Sequence, residues 1–165
     1  MSAEVPSLTK ISLSYSVEED RIRMDSVSST GDLLRLWFTA RLLNRLVPHL
    51  VAKQLNFQAE NRASDDTRLA HGPVDPSDST NVICGPEHPE VLVAAIGLSV
   101  QGEQIVLTFM RGDGEKQAVF GLSLSSLAQW NEGLKRCYQQ AEWPQDTFRV
   151  EQGLTFKDQG TVTIH

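Results

Sequence analysis

The feature that most constrains this chain is a change of hydrophobic period that occurs twice in the same order. Lys10–Ser16 alternates, with Ile11, Leu13 and Tyr15 on one face and Ser12, Ser14 and Ser16 on the other. A period of two is a half-buried strand. A polar turn at Val17–Asp20 leads to a second such run, Arg21–Val27, with Ile22 and Met24 on one face. Ser28–Asp32 has the composition of a turn, and Leu33–Phe38 reads as a third strand through Leu34, Leu36 and Phe38. The period then changes. Leu42, Leu43, Leu46, Val47, Leu50 and Val51 are spaced three and four apart, which predicts a helix capped by Thr39. Pro48 falls inside that pattern and predicts a kink, or a first segment ending near Val47.

The order recurs after residue 90. Val91–Val100, Gln104–Met110 and Gln117–Leu122 read as strands joined by Gln101–Glu103 and Arg111–Glu115. A helix follows, capped by Ser123, Ser125 or Ser126, carrying Leu127, Trp130, Leu134, Tyr138 and Ala141 and ending near Trp143-Pro144. An offset of 84 residues sets Leu36 on Phe120, Thr39 on Ser123, Leu46 on Trp130 and Leu50 on Leu134; offsets of 85 and 83 serve the first and second strands. The expected fold is α+β: two tandem β-β-β-α units, each an antiparallel meander followed by a helix, related by an internal repeat and sharing one core. One such unit has too small a core to stand alone. The tail, 144–165, has short β-type runs at Phe148–Val150, Leu154–Phe156 and Thr161–Ile164, which predict a C-terminal β extension that adds a terminal hairpin or covers an edge.

Between the two units, 9–55 and 91–143, residues 56–90 differ in kind. They hold four of the seven prolines (Pro73, Pro76, Pro86, Pro89) and seven acidic residues against Arg62 and Arg68, which is −5 of the chain's net −6. So polar a segment cannot order itself by burial, and proline at this density forbids a continuous helix or central strand. It reads as an acidic linker within a single domain, and the folded body is close to neutral.

Motifs that would carry chemistry are missing. There is no glycine-rich loop opening a helix, no Walker-type phosphate loop and no nucleophile elbow. Arg111-Gly112-Asp113-Gly114 joins two strands and reads as a hairpin turn. Cys84 and His88 lie four apart beside Glu87, with His71 in the same segment, but a closed metal site needs about four ligands. A Cys84–His88 nucleophile pair lacks an orienting third group. No catalytic residue, metal ligand or cofactor is therefore assigned, and a non-enzymatic role is expected. Cys84 and Cys137 are too few for a disulfide framework and read as reduced thiols of a cytoplasmic protein. No apolar run approaches the roughly 18 residues of a membrane span, and the start lacks the pattern of a secretion signal.

One charged constellation stands out. Arg41, Arg45, His49 and Lys53 recur every four residues along the first helix as a basic ridge, near Arg35 and Trp37 of the preceding strand. The matching ridge of the second helix, Ser125, Gln129, Gly133 and Cys137, is uncharged. The ridge is a solvated face, a seat for the acidic linker, or a site for an external polyanion with Trp37 stacking a base. Duplicated units of antiparallel strands and a helix are similar in architecture to the Whirly and Pur-type single-strand binders, although those repeats have four strands and none of their motifs is present here. That similarity implies single-stranded nucleic-acid binding as the alternative function. The favoured expectation is a protein–protein interaction module or homodimer, because short antiparallel sheets expose edges and faces that a symmetric partner can cover.

Overall fold

A computed structural model describes residues 4–63, 81–149 and 161–165. The architecture is α+β: among the described residues, one eight-stranded mixed sheet and two α-helices. The first three strands are β1 (Ser7–Ser16), β2 (Arg21–Ser28) and β3 (Leu33–Phe38), an antiparallel meander as the alternation predicts. Helix α1 (Ala40–Ala63) follows at once. Thr39 caps it, its Oγ1 accepting the Leu42 N–H at 3.3 Å. Leu42, Leu43, Leu46, Val47 and Leu50 are at most 3% exposed.

Of the two readings of Pro48, a first segment ending near Val47 is overturned: α1 runs through Pro48 to Ala63. A mid-helix proline costs about 3 kcal/mol, and the apolar stripe on both sides of Pro48, packed on one core, offsets it. The linker read from residue 56 therefore begins as helix, since 56–63 belongs to α1.

A further correction concerns Val91–Val100, which is two strands. β4 (Glu90–Leu92) runs parallel to β3, and β5 (Ala95–Gln101) runs antiparallel to β6 (Gln104–Met110). β6 turns through Arg111–Glu115, where Arg111 Nη2 reaches Asp113 at 2.6 Å and Glu115 at 2.7 Å, into β7 (Lys116–Ser123). That is the hairpin expected of the glycine-rich run. Ser123 Oγ accepts the Ser126 N–H at 3.2 Å and starts a short 3-10 turn that leads into α2 (Leu127–Ala141). Glu142 closes α2 in the left-handed region, at φ 57°. Asp146–Phe148 is a second 3-10 turn instead of the start of a β run, because the Phe148 ring packs on Tyr138 at 4.9 Å. The run Leu154–Phe156 lies outside the described residues. Val162–Ile164 is β8, antiparallel to β5.

The strand order is β4-β3-β2-β1-β7-β6-β5-β8. Only Val93 and Ala94 separate β4, at one end of that order, from β5 near the other. The Val93 N–H donates to the Trp37 carbonyl of β3 at 3.0 Å and the Ala94 N–H to the Met110 carbonyl of β6 at 2.9 Å. The sheet therefore curls until β3 and β6 flank the same stretch of chain. Its inner face carries Ile22, Met24, Leu36, Ile105, Leu107 and Phe109, all fully buried, and Phe38 meets Phe109 edge-on at 5.5 Å. Both helices pack on this face. They are joined by Tyr138 Oη donating to Asn44 Oδ1 and Asn131 Nδ2 donating to Gln54 Oε1, each at 2.8 Å.

Candidate functional site

The sheet joins its two halves through β1 and β7, and that joint is brief. The parallel ladder holds only Ser7↔Val119 and Leu8↔Phe120, with one further bond from the Val119 N–H to the Pro6 carbonyl at 2.9 Å. A register shift in β1 between Leu8 and Lys10 follows directly. From Lys10 onward β1 pairs with β2 alone. In an antiparallel ladder, alternate residues turn their N–H and C=O away from the partner strand. On β1 these groups face the gap toward β7, and among the described residues none of them from Lys10 to Ser16 has a backbone partner there.

The gap widens into a cleft of about 660 Å³ roofed by α2, within the size range of small-ligand pockets. Ile11, Leu13, Phe120 and Leu122 give it an apolar floor, and Asn81, Gln129, Arg136 and Gln140 a polar rim. α2 approaches β1 closely at Gly133, where an added Cβ would stand 3.5 Å from Leu13 Cδ1. Trp130 lines the cleft, is 7% exposed and lies against Phe120 with ring centroids 5.5 Å apart. Its buried indole N–H has no acceptor among the described residues. Such an orphan is costly and uncommon. The sequence signal for this site was the uncharged helical ridge: Gln129, Gly133 and Cys137 form its α2 wall.

The outer face of β1–β3 is built differently. Asp25, 2% exposed, stands opposite Arg35 in the β2–β3 register and accepts its Nε–H at 2.8 Å and Nη2–H at 3.3 Å. The Cys84 N–H also donates to Asp25, at 3.1 Å, while Arg35 Nη2 donates to the Cys84 carbonyl at 2.5 Å. The Val82 N–H reaches Ser12 Oγ at 2.8 Å, and the Arg35 N–H reaches the Pro89 carbonyl at 3.0 Å. The chain from 81 to 89 is thus strapped across β1, β2 and β3 before it becomes β4. Burial pushes the Asp25 carboxyl up; the Arg35 hydrogen bond, the Cys84 N–H and the Arg35 and Arg23 charges outweigh that and hold it below the usual carboxylate range.

The sequence-selected residues divide between these surfaces. Arg35 and Trp37 lie on the outer face, with Arg35 over the Trp37 ring at 5.8 Å and the Trp37 indole N–H donating to Glu90 at 3.2 Å. Arg41, Arg45, His49 and Lys53 lie on α1, which packs against the other face, so the six residues do not form one site. Nor is the ridge uniformly solvated. Arg41 and Arg45 are exposed, His49 is half-buried and Lys53 is 9% exposed. Burial, then the Lys53 charge, lowers the His49 pKa. Arg45 Nη1 donates to the His165 carbonyl at 2.6 Å, beside β8.

Cys84 and His88 do not act as a pair. His88 Nδ1 accepts the Gly85 N–H at 2.8 Å, stiffening the turn. Burial, then the Asp25 charge, raises the Cys84 pKa, the opposite of an activated thiol. Both cysteines are buried and free. Among the described residues no group of three or more His, Cys, Asp and Glu is placed to hold a metal, and no helix is long and apolar enough to cross a membrane. His71 lies outside the described residues. Compared with known proteins, the chain matches no family model, no curated protein and no solved structure.

Proposed function

We propose that the chain is a cytoplasmic, non-enzymatic protein-interaction module built from two tandem β-β-β-α units, and that the cleft beside β1 receives a segment of its partner. The observation that carries this reading is a strand edge inside a cleft that has no backbone partner among the described residues. Backbone groups of β1 face about 660 Å³ of mixed apolar and polar lining, with a buried indole donor at its wall. Proteins commonly bind extended partners by adding a strand to such an edge. The outer edges of the sheet are less suited, because β4 and β8 have three residues each. The duplication is supported by shared layout. Each half is a three-stranded meander followed by a helix on the inner face, and each helix start follows a serine or threonine cap 84 residues from the other, Thr39 and Ser123. A cytoplasmic setting fits two free, buried thiols.

The test is peptide selection by display against the intact protein, with Gly133→Leu, which places bulk in the cleft, as counter-target. Selected peptides should bind the wild type and lose binding to the variant. Peptides that bind both equally would refute the cleft as the contact surface. Light scattering decides whether the partner is a second copy: a dimer that Gly133→Leu converts to monomer would make this a homo-oligomeric module.

Single-stranded nucleic-acid binding by the ridge has less support. Of its four members Lys53 is buried and His49 half-buried, and Arg35 and Trp37 are on the opposite face. Polyanion binding should be weak or absent, and tight binding that falls steeply with salt would promote this alternative.

A further inference from the structure

The protein already holds one extended segment in the manner its cleft invites. β8 lies along the outer edge of β5, antiparallel, with Ile164 opposite Ile96, Thr163 opposite Gly97 and Val162 opposite Leu98. Ile164 is 5% exposed and belongs to the core, whereas Thr163 is exposed. The segment thus alternates apolar, polar, apolar in sequence; Ile164 is turned into the core, and Val162 at its outer end is 43% exposed. The wall beside it is α1, whose Arg45 holds the His165 carbonyl.

The edge of β1 offers the same seat. Eighty-five residues before Ile96 and Leu98 stand Ile11 and Leu13, the same two residue types at the same spacing, and both line the cleft. Ser12 stands where β5 has Gly97. Eighty-four residues after Arg45 and His49 stand Gln129 and Gly133, which line the cleft from α2. The differences between the seats are chemical. Where α1 presents a cation to the end of β8, α2 presents neutral Gln129 and glycine. Trp130 also lines the cleft, its buried indole N–H without an acceptor among the described residues.

We infer that the cleft takes an extended polypeptide segment of alternating β-branched apolar and small polar residues, bound antiparallel to β1 in the register that β8 keeps on β5. This rests on the interaction-module reading and specifies its partner. The occupant sets an apolar side chain opposite Ile11 and another, two residues earlier, opposite Leu13. Its backbone pairs with the cleft-facing groups of β1, and its side chains lie beside Trp130 at the cleft wall.

The experiment uses the blocked hexapeptide acetyl-Thr-Val-Thr-Ile-Thr-Val-amide, which extends the pattern of β8, added to the intact isotope-labelled protein. The amide signals of residues 11–15 and the Trp130 indole signal should shift together. A nitroxide on the peptide's C-terminus should broaden Ile11, and one on its N-terminus should broaden Tyr15. Methylating two alternate backbone nitrogens of the peptide removes two donors and should weaken binding about tenfold or more; this control does not depend on any protein variant folding. Binding that survives N-methylation, or nitroxide contacts of parallel sense, would overturn the inference. Shifts confined to Ile96–Leu98 would overturn it as well, because the peptide would then be replacing β8. If this peptide fails while display-selected peptides of another pattern perturb the same β1 amides, the strand pattern is wrong and the module reading stands. If no peptide perturbs those amides, both fall.

Discussion

Replacing Asp25 with alanine should destabilise the protein more than any other single change on the outer face. Asp25 sits between two chains of structure. It accepts two bonds from Arg35 and one from the Cys84 N–H, and Arg23 Nε lies 3.7 Å away. Removing one partner of a buried ion pair costs about 3–5 kcal/mol, because the other charge stays buried without compensation. The Arg35 side chain is 16% exposed and keeps the Cys84 carbonyl, so the lower end, about 3 kcal/mol, applies. With a urea slope of roughly 2 kcal/mol/M for a domain of this size, the midpoint should fall by about 1.5 M. A double replacement, Asp25→Leu with Arg35→Met, should cost clearly less than the sum of the two single losses, since neither charge is then stranded. The same pair fixes a pH dependence. Asp25 is held below its unfolded pKa, so its contribution is fully present above about pH 4 and is lost as pH falls through the folded pKa. Asp25→Asn should flatten that acid limb. Urea melts at pH 7 and between pH 2 and 5 read both effects. A loss under about 1 kcal/mol for Asp25→Ala, with an unchanged acid limb, would refute the clamp as the anchor of 81–89.

Other outcomes follow from single groups. Tyr138→Phe removes the bond to Asn44 at the helix–helix contact and should cost about 0.5–1.5 kcal/mol in a urea melt. Cys137, its pKa pushed by burial to about 11, and buried Cys84 should resist a thiol reagent in the native state, while denaturation without reductant should release two thiols per chain. Gly133→Ala should stabilise by up to about 1 kcal/mol through helix propensity, since its Cβ meets Leu13 at ordinary contact distance. A chain cut at a protease site engineered between residues 64 and 80 should still elute as one particle, because β1–β7 and β3–β4 both join the halves.

Local periodicity was enough for much of the chain. Leu33–Phe38 and the Thr39 cap are strand and cap as read, since both depend on neighbours in sequence. The run Val91–Val100 was misread because its alternation continues while its partner changes: the chain leaves β3 at Leu92 and joins β6 at Ala95, and nothing local marks the exchange. Asp25 escaped notice among Arg21, Arg23 and Arg35 because its weight comes from a cross-strand register and from a strap 59 residues away. The basic ridge was legible as a pattern, but its burial was not: the depth of Lys53 depends on tertiary packing. The cleft was not legible: the row Gln129, Gly133 and Cys137 that forms its α2 wall stands out in sequence only as uncharged. That, among the described residues, β1 pairs with β2 alone beyond Leu8 is a property of two strands more than 100 residues apart in sequence, which part after Leu8 and Phe120.

The central claim is that one edge of β1 is open to a partner strand whereas the corresponding edge of β5 is held by β8. Residue-resolved amide hydrogen exchange on the free protein tests it directly. From Lys10 to Ser16, amides turned toward β2 should be protected, and those turned toward the cleft should exchange far faster, giving an alternating profile. At Ile96–Leu98, with ladders on both sides, protection should be continuous. Uniformly strong protection along the whole of β1 in the free protein would contradict the account, because that edge would already be paired.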